Sequence, residues 1–149
     1  MEENITKNFK LEEFLVSDSY PEVAKNMKLN ENEKENLVNL TINILQPIRD
    51  FLDEPIKILS GFRSSKLNSM IGGSKTSDHM EGSAADITSN KIYINSKQVA
   101  YDIWNLNLPI RQLIYYPGRS FIHLSINTDS KPFKSELLVY KNKRYIKEK

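Results

Sequence analysis

The sequence predicts an α+β fold: a mainly antiparallel sheet with helices packed on one side. Three observations lead there. The one long run of helical periodicity lies early, from about Glu31 to Asp53. Short β-branched and aromatic runs bounded by Gly, Pro, Asn or Ser dominate the rest of the chain. Helices first and strands later, rather than alternating strand and helix, argue against a parallel sheet. The 149 residues are expected to form a single domain with a sizeable core, without repeats or linkers.

Taken in order, residues 1–8 are polar and are expected to fray. Phe9, Leu11, Phe14 and Leu15 recur at helical spacing, so residues 9–15 predict a short helix, followed by a turn over residues 17–21. Residues 22–29 fit no single element. For the long helix, Asn30 is the expected N-cap, and Glu31, Glu33 and Glu35 suit the positive end of the helix dipole. Leu37, Leu40, Thr41, Ile44, Ile48, Phe51 and Leu52 then form a stripe expected to face the core. Pro47 lies within that stripe and should kink or divide the helix.

Residues 55–60 read as a strand ended by Gly61, and Ser64–Met70 as one or two helical turns stopped by Gly72 and Gly73. Residues 74–83, rich in Ser, Thr, Gly and Asp, predict a loop, and Ala84–Ile87 a short buried strand. Ile92–Ile94 suggests another strand. Ser96 should cap a helix through about Asn105, with Val99, Ala100, Ile103 and Trp104 inward. Residues 112–115 and 121–127 read as strands joined by the turn Tyr116-Pro117-Gly118-Arg119, and residues 137–140 with 144–146 as a terminal hairpin.

The bulk numbers exclude several functions. Net charge is +2, too small for nucleic acid as a partner to be read from the whole chain. Residues 131–149 carry seven basic residues against two acidic, which reads as a solvated tail. There is no cysteine, hence no disulfide, thiolate metal site or cysteine nucleophile. No apolar run approaches the roughly 18 residues of a membrane span, and the acidic opening residues are not those of a secretory signal. The expectation is a protein without membrane insertion, monomeric, and cytoplasmic at synthesis.

The chemistry concentrates in Ser77-Asp78-His79-Met80-Glu81-Gly82-Ser83-Ala84-Ala85-Asp86. The chain has only two histidines, and the second, His123, lies in the apolar run Phe121–Ile126. A histidine in an apolar strand is ordinarily a hydrogen-bonded core residue, and an aspartate after small residues ordinarily a turn or cap. Together, however, His79, Asp86 and His123 supply the three protein donors of a catalytic zinc site, drawn from a loop and two strands. Gly82 and the small residues after it are expected to leave room for close backbone approach beside the metal. Arg63, after the strand expected over residues 55–60, presents a guanidinium for a carboxylate or developing oxyanion, or else a surface ion pair. Ser77 is either a substrate-binding hydroxyl or an ordinary loop serine.

These residues resemble the zinc D-Ala-D-Ala carboxypeptidases and the related phage L-alanyl-D-glutamate endopeptidases, of the lysostaphin / D-Ala-D-Ala carboxypeptidase / Hedgehog fold group. The signature S-x-H-x-x-G-x-A-x-D is met by Ser77, His79, Gly82, Ala84 and Asp86. The S-G-Y/F-R element is Ser60-Gly61-Phe62-Arg63, followed by Leu67-Asn68 and Gly72-Gly73-Ser74. The opening Asn8–Phe14 and the later Gln112-Leu113-Ile114 and Phe121–Ser125 are similar to the phage and bacterial single-domain branch, so the likeness spans about residues 8–127. The resemblance implies zinc on His79, Asp86 and His123. It implies Arg63 on the scissile carbonyl or oxyanion, Ser77 on the substrate, and a zinc-activated water attacking a peptide bond of peptidoglycan.

One position departs from the pattern. Several family members place a catalytic Glu three residues before the last histidine, or a His two before it; here those residues are Ser120 and Phe121. The general base is therefore open, with Glu81 and Asp102 as acidic candidates and Tyr115 or Tyr116 as proton donors. The expected function is a phage lytic peptidase, endolysin or virion-associated, acting at the bacterial cell wall. The alternatives are a noncatalytic zinc module of the same fold and a host D-Ala-D-Ala carboxypeptidase.

Overall fold

A computed structural model describes residues 3–149. Two short strands, β1 (Asn4–Thr6) and β2 (Phe9–Lys10), pair antiparallel at the start. Part of the stretch expected to fray is thus a ribbon, and its first two residues lie outside the described ones. The expected helix over 9–15 shrinks to the 3-10 turn Leu11–Phe14, because β2 claims its first residues. Helix α1 is Pro21–Lys25, started by the proline at its first position.

Helix α2 (Glu31–Leu40), a π-helical turn (Thr41–Leu45) and helix α3 (Gln46–Leu52) follow one another directly. Asn30 caps α2, its side chain accepting from the Glu33 amide at 2.8 Å while Glu33 reaches back to the Asn30 amide at 2.9 Å. Pro47 stands in the first turn of α3: the backbone at Leu45 and Gln46 stays right-handed helical, and the interruption between α2 and α3 takes the form of the widened π turn just upstream. Of the expected core stripe, Leu37, Leu40, Thr41, Ile44, Ile48 and Leu52 are buried. Phe51 is instead 47% exposed. The π turn shifts the helical phase, which puts Leu45 in the core.

The remaining elements are β3 (Lys57–Ser60), α4 (Ser65–Met70), a 3-10 turn (Asp78–Glu81), β4 (Ala84–Thr88), α5 (Asn90–Ile94), α6 (Ser96–Trp104), β5 (Ile110–Tyr115), β6 (Ile122–Ile126), β7 (Glu136–Lys141) and β8 (Arg144–Lys147). Residues 92–94 are helical, not a strand. The Ser89 side chain accepts from the Ile92 amide at 3.2 Å and starts a short helix that needs to bury only Ile92. Asn95, rather than Ser96, caps α6, accepting from the Gln98 amide at 3.1 Å.

Among the described residues the main sheet has six strands in the order β3-β4-β6-β5-β7-β8. All neighbours are antiparallel except β5 and β7, so the fold is the α+β arrangement expected. Strand alternation sorts the two faces. Ala85, Ile87, Ile122, Leu124, Leu113 and Val139 point into one core with the apolar faces of α2, α3, α5 and α6. Asp86 and His123 lie between these residues in sequence and so project from the opposite face.

Two glycines let other elements come near that face. A Cβ on Gly61 would lie 2.6 Å from the Phe14 carbonyl oxygen. Gly82 has φ +76°, and a Cβ there would lie 2.4 Å from the Glu33 carbonyl oxygen. The close approach at Gly82 is therefore to α2, not to the candidate metal position. It docks the Asp78–Glu81 turn on the helix, where the Asn36 amide group donates to the Glu81 carbonyl at 2.9 Å.

Candidate metal centre

Register builds the site from the sheet outward. Asp86 on β4 sits opposite Ser60 on β3 and opposite His123 on β6, so adjacent strands line up these three positions. His79 arrives from the 3-10 turn and is 3% exposed. Its Nδ1 lies 2.7 Å from the Gly61 carbonyl oxygen. A carbonyl only accepts, so Nδ1 carries the proton and Nε2 keeps its lone pair. That nitrogen is 3.4 Å from Asp86 Oδ1, while His123 Nδ1 is 2.9 Å from the same oxygen.

The donor set fits a zinc ion. One donor atom from each of His79, Asp86 and His123 lies within 4.8 Å of the others. Bonds of about 2.0–2.1 Å in tetrahedral arrangement separate ligand atoms by roughly 3.4 Å, close to what the two His–Asp pairs already have. The electrostatics agree with a cation there. Burial works to raise the Asp86 pKa, but the two imidazoles packed against it, His79 and His123, outweigh burial and hold the carboxylate well below its ordinary range. Burial pushes His79 down, toward the neutral form that ligates metal.

The chain matches the sequence model of the family described as Peptidase M15 over residues 7–125, well over half its length. It belongs to the M15 peptidase family. M15 peptidases are metallopeptidases, typically of zinc, and the three-donor cluster lies in the matched region. No curated protein gives a significant match.

The centre of this M15 peptidase opens into a cleft of about 750 Å³. Arg63 lines it beside the cluster. Its Nε donates to Ser60 Oγ at 3.2 Å, one terminal nitrogen donates to Asn68 Oδ1 at 3.2 Å, and the other lies 3.8 Å from Asp86 Oδ2. Burial lowers the Arg63 pKa while Asp86 and Tyr116 raise it, and the guanidinium stays charged. Ser77 lines the cleft as well, but its hydroxyl also accepts from the His79 amide at 3.2 Å and caps the turn.

The four proton-handling candidates separate. Tyr116 lines the cleft, and burial followed by Tyr145 and Asp86 raises its pKa, so its phenol is protonated at neutral pH. Tyr115 points to the helix side, where its hydroxyl donates to Glu148 and its ring lies 6.2 Å from Tyr101. Strand alternation separates these two neighbours. Asp102 accepts from its helix neighbour Gln98 at 2.9 Å on α6, away from the cleft. Glu81 is bound by Ser130 and lies 3.5 Å from Lys131, beside a different groove.

The cleft also contains residues that sequence reasoning missed. Asp78 is clamped by Arg111 Nε at 3.3 Å and Lys131 Nζ at 2.6 Å. Burial would raise its pKa, but Lys131 and Arg111 hold it below the ordinary carboxylate range. Arg111 further donates to Asn127 Oδ1 at 3.1 Å and to the Pro132 carbonyl at 2.6 Å, fastening the 127–134 loop as a cleft wall. A charge in an otherwise apolar strand was the available signal for Arg111; Lys131, in a polar loop, gave none.

Proposed function

We propose that this M15 peptidase uses zinc to hydrolyse stem or cross-link peptides of peptidoglycan, as a phage lytic protein, either endolysin or virion-associated, acting at the bacterial cell wall. The observation that carries this reading is the convergence of His79, Asp86 and His123 beside a charged Arg63 at the floor of an open cleft. When bound, zinc supplies Lewis acidity and lowers the pKa of a water molecule toward neutrality.

The chain's own residues do the rest. The Gly61 carbonyl fixes the His79 tautomer and ring orientation. Arg63, braced by Ser60 and Asn68, keeps its guanidinium on the cleft, where it holds the scissile carbonyl oxygen as negative charge develops. Tyr116 keeps its phenolic proton and can hand it to the departing amine. Ser77 lines the path along which the peptide lies.

One observation favours a second reading, a noncatalytic zinc module that binds cell wall or structures a virion. Among the described residues, the carboxylates lining the cleft are Asp86, in the cluster, and Asp78, held by two cations. Neither is a free general base. The deciding experiment measures bound metal, then incubates the chain with purified peptidoglycan and identifies released fragments by mass spectrometry. New L-Ala or D-Ala termini within stems support an endopeptidase. Free D-Ala alone points to the third reading, a host D-Ala-D-Ala carboxypeptidase. One zinc per chain with no release overturns the enzyme in favour of the binding module.

A further inference from the structure

Beside the cleft, a second groove of about 850 Å³ lies between the α5–α6 junction and the turn that links β5 to β6. Tyr93, Ile94 and Lys97 form one wall; Pro117, Arg119 and Phe121 form the other. Tyr93 is 74% and Ile94 80% exposed, adjacent apolar side chains that the fold leaves open to solvent. No carboxylate lines the groove among the described residues. Lys97 and Arg119 have no ion-pair partner among the described residues; Glu148 acts on Lys97 only from beyond contact distance.

The groove adjoins the candidate centre. Phe121, on the groove side, stacks on Tyr116, on the cleft side, with ring centroids 4.6 Å apart. This ring pair is the contact that joins the lining of the cleft to the lining of the groove. The groove's occupant must tolerate two uncompensated cations and cover two exposed apolar side chains. An extended peptide with free carboxylates and aliphatic side chains meets both conditions.

We propose that this groove binds the far, carboxylate-bearing arm of a cross-linked peptide substrate, with Lys97 and Arg119 pairing its carboxylates and Tyr93 and Ile94 covering its aliphatic groups. The inference rests on the peptidase reading for the identity of the substrate. It assigns the chain a preference for cross-linked over single stems. Exposed ion pairs are individually weak, so reversing both charges should change affinity by about 2–20-fold.

The test uses the full chain, isotope-labelled for amide NMR, and two probes: a purified cross-linked muropeptide dimer with free α-carboxyls, and the same dimer amidated. The amides of Tyr93, Lys97 and Arg119 should shift saturably with the free-carboxyl dimer. The double variant Lys97→Glu, Arg119→Glu should bind that dimer about 2–20-fold more weakly and lose little toward the amidated one. Shifts confined to the cleft, no binding of either dimer, or equal affinity for both dimers in the parent chain would overturn the proposal. Cleavage of the same dimer separates the two readings. A dimer that is cut while the groove stays silent leaves the peptidase and removes the groove. A dimer that shifts the groove but is never cut leaves the groove and removes the peptidase.

Discussion

Gly82→Ala should destabilise the chain by about 2–4 kcal/mol, and Gly118→Ala by much less. Both glycines have positive φ, +76° and +82°, so both substitutions place an L side chain in the left-handed region. That costs about 1–2 kcal/mol at either site. The surroundings differ. A Cβ on Gly118 meets nothing within 4 Å, whereas one on Gly82 lies 2.4 Å from the Glu33 carbonyl oxygen, about 1 Å inside ordinary contact. The clash is with helix backbone, so the Asp78–Glu81 turn must move off α2. The Asn36–Glu81 hydrogen bond of 2.9 Å goes with it, worth about 1 kcal/mol. Urea unfolding of the metal-free chain reads both variants, and a chain of this size should lose roughly 2–4 °C of Tm per kcal/mol. His79 sits on the same turn, so Gly82→Ala should also weaken zinc binding, while Gly118→Ala should not. Equal destabilisation by the two substitutions would refute the argument from close approach.

Four further outcomes are expected. His123→Ala should take metal content, measured by mass spectrometry of the dialysed protein, well below one zinc per chain; unchanged content would dismiss the proposed ligand set. Arg63→Ala should keep its zinc but lower kcat on a peptidoglycan peptide by about 10²–10³-fold, as removal of an oxyanion donor does; a change only in KM would assign it to ground-state binding. Glu81→Gln, Asp102→Asn and Tyr115→Phe should each leave kcat within about threefold, since their side chains are engaged outside the cleft, whereas Tyr116→Phe should lower it by about 10²-fold or more. Asp78, whose folded pKa is depressed by Lys131 and Arg111, contributes stability present above about pH 3.9 and lost as pH falls toward its folded value. Lys131→Ala weakens that depression, so acid unfolding followed by circular dichroism should begin at a higher pH.

Much of the fold was legible because its signals are local. The Asn30 cap, the acidic first turn and the apolar stripe after them are each signalled by residues a turn or so apart. The misreadings arose where tertiary context overrode a local preference. Ile92, Tyr93 and Ile94 have the residue types of a strand, but Ser89 offers a cap and only one of the three needs burial. Phe51 fits a 3.6-residue stripe counted from Leu37 and leaves it once a π turn intervenes. The parallel pairing of β5 with β7 depends on a crossover that no short window contains.

The candidate centre was legible to a different depth. His79, Asp86 and His123 stand out because the sequence spends its only two histidines there, within a spaced pattern of small residues. The residues that surround them carry no such mark, since their proximity comes from register and loop docking. Asp78 and Arg111 are 33 positions apart, and Asp78 and Lys131 are 53 apart. Tyr115 and Tyr116 show the limit most sharply. Adjacent and chemically identical, they differ only in which side of the sheet they take: one donates to Glu148, just after β8, with its ring near Tyr101 of α6, and the other faces the cleft beside Arg63 and Asp86. A metal site reads from residue types because few side chains bind zinc, whereas proton handling falls to whatever group the fold aims at the cleft. On this geometry the group that faces the cleft beside Arg63 and Asp86 is Tyr116, a proton donor and not a base; in the proposed reaction the proton given up by an attacking water would therefore pass to bulk solvent rather than to a side chain in the base's customary place.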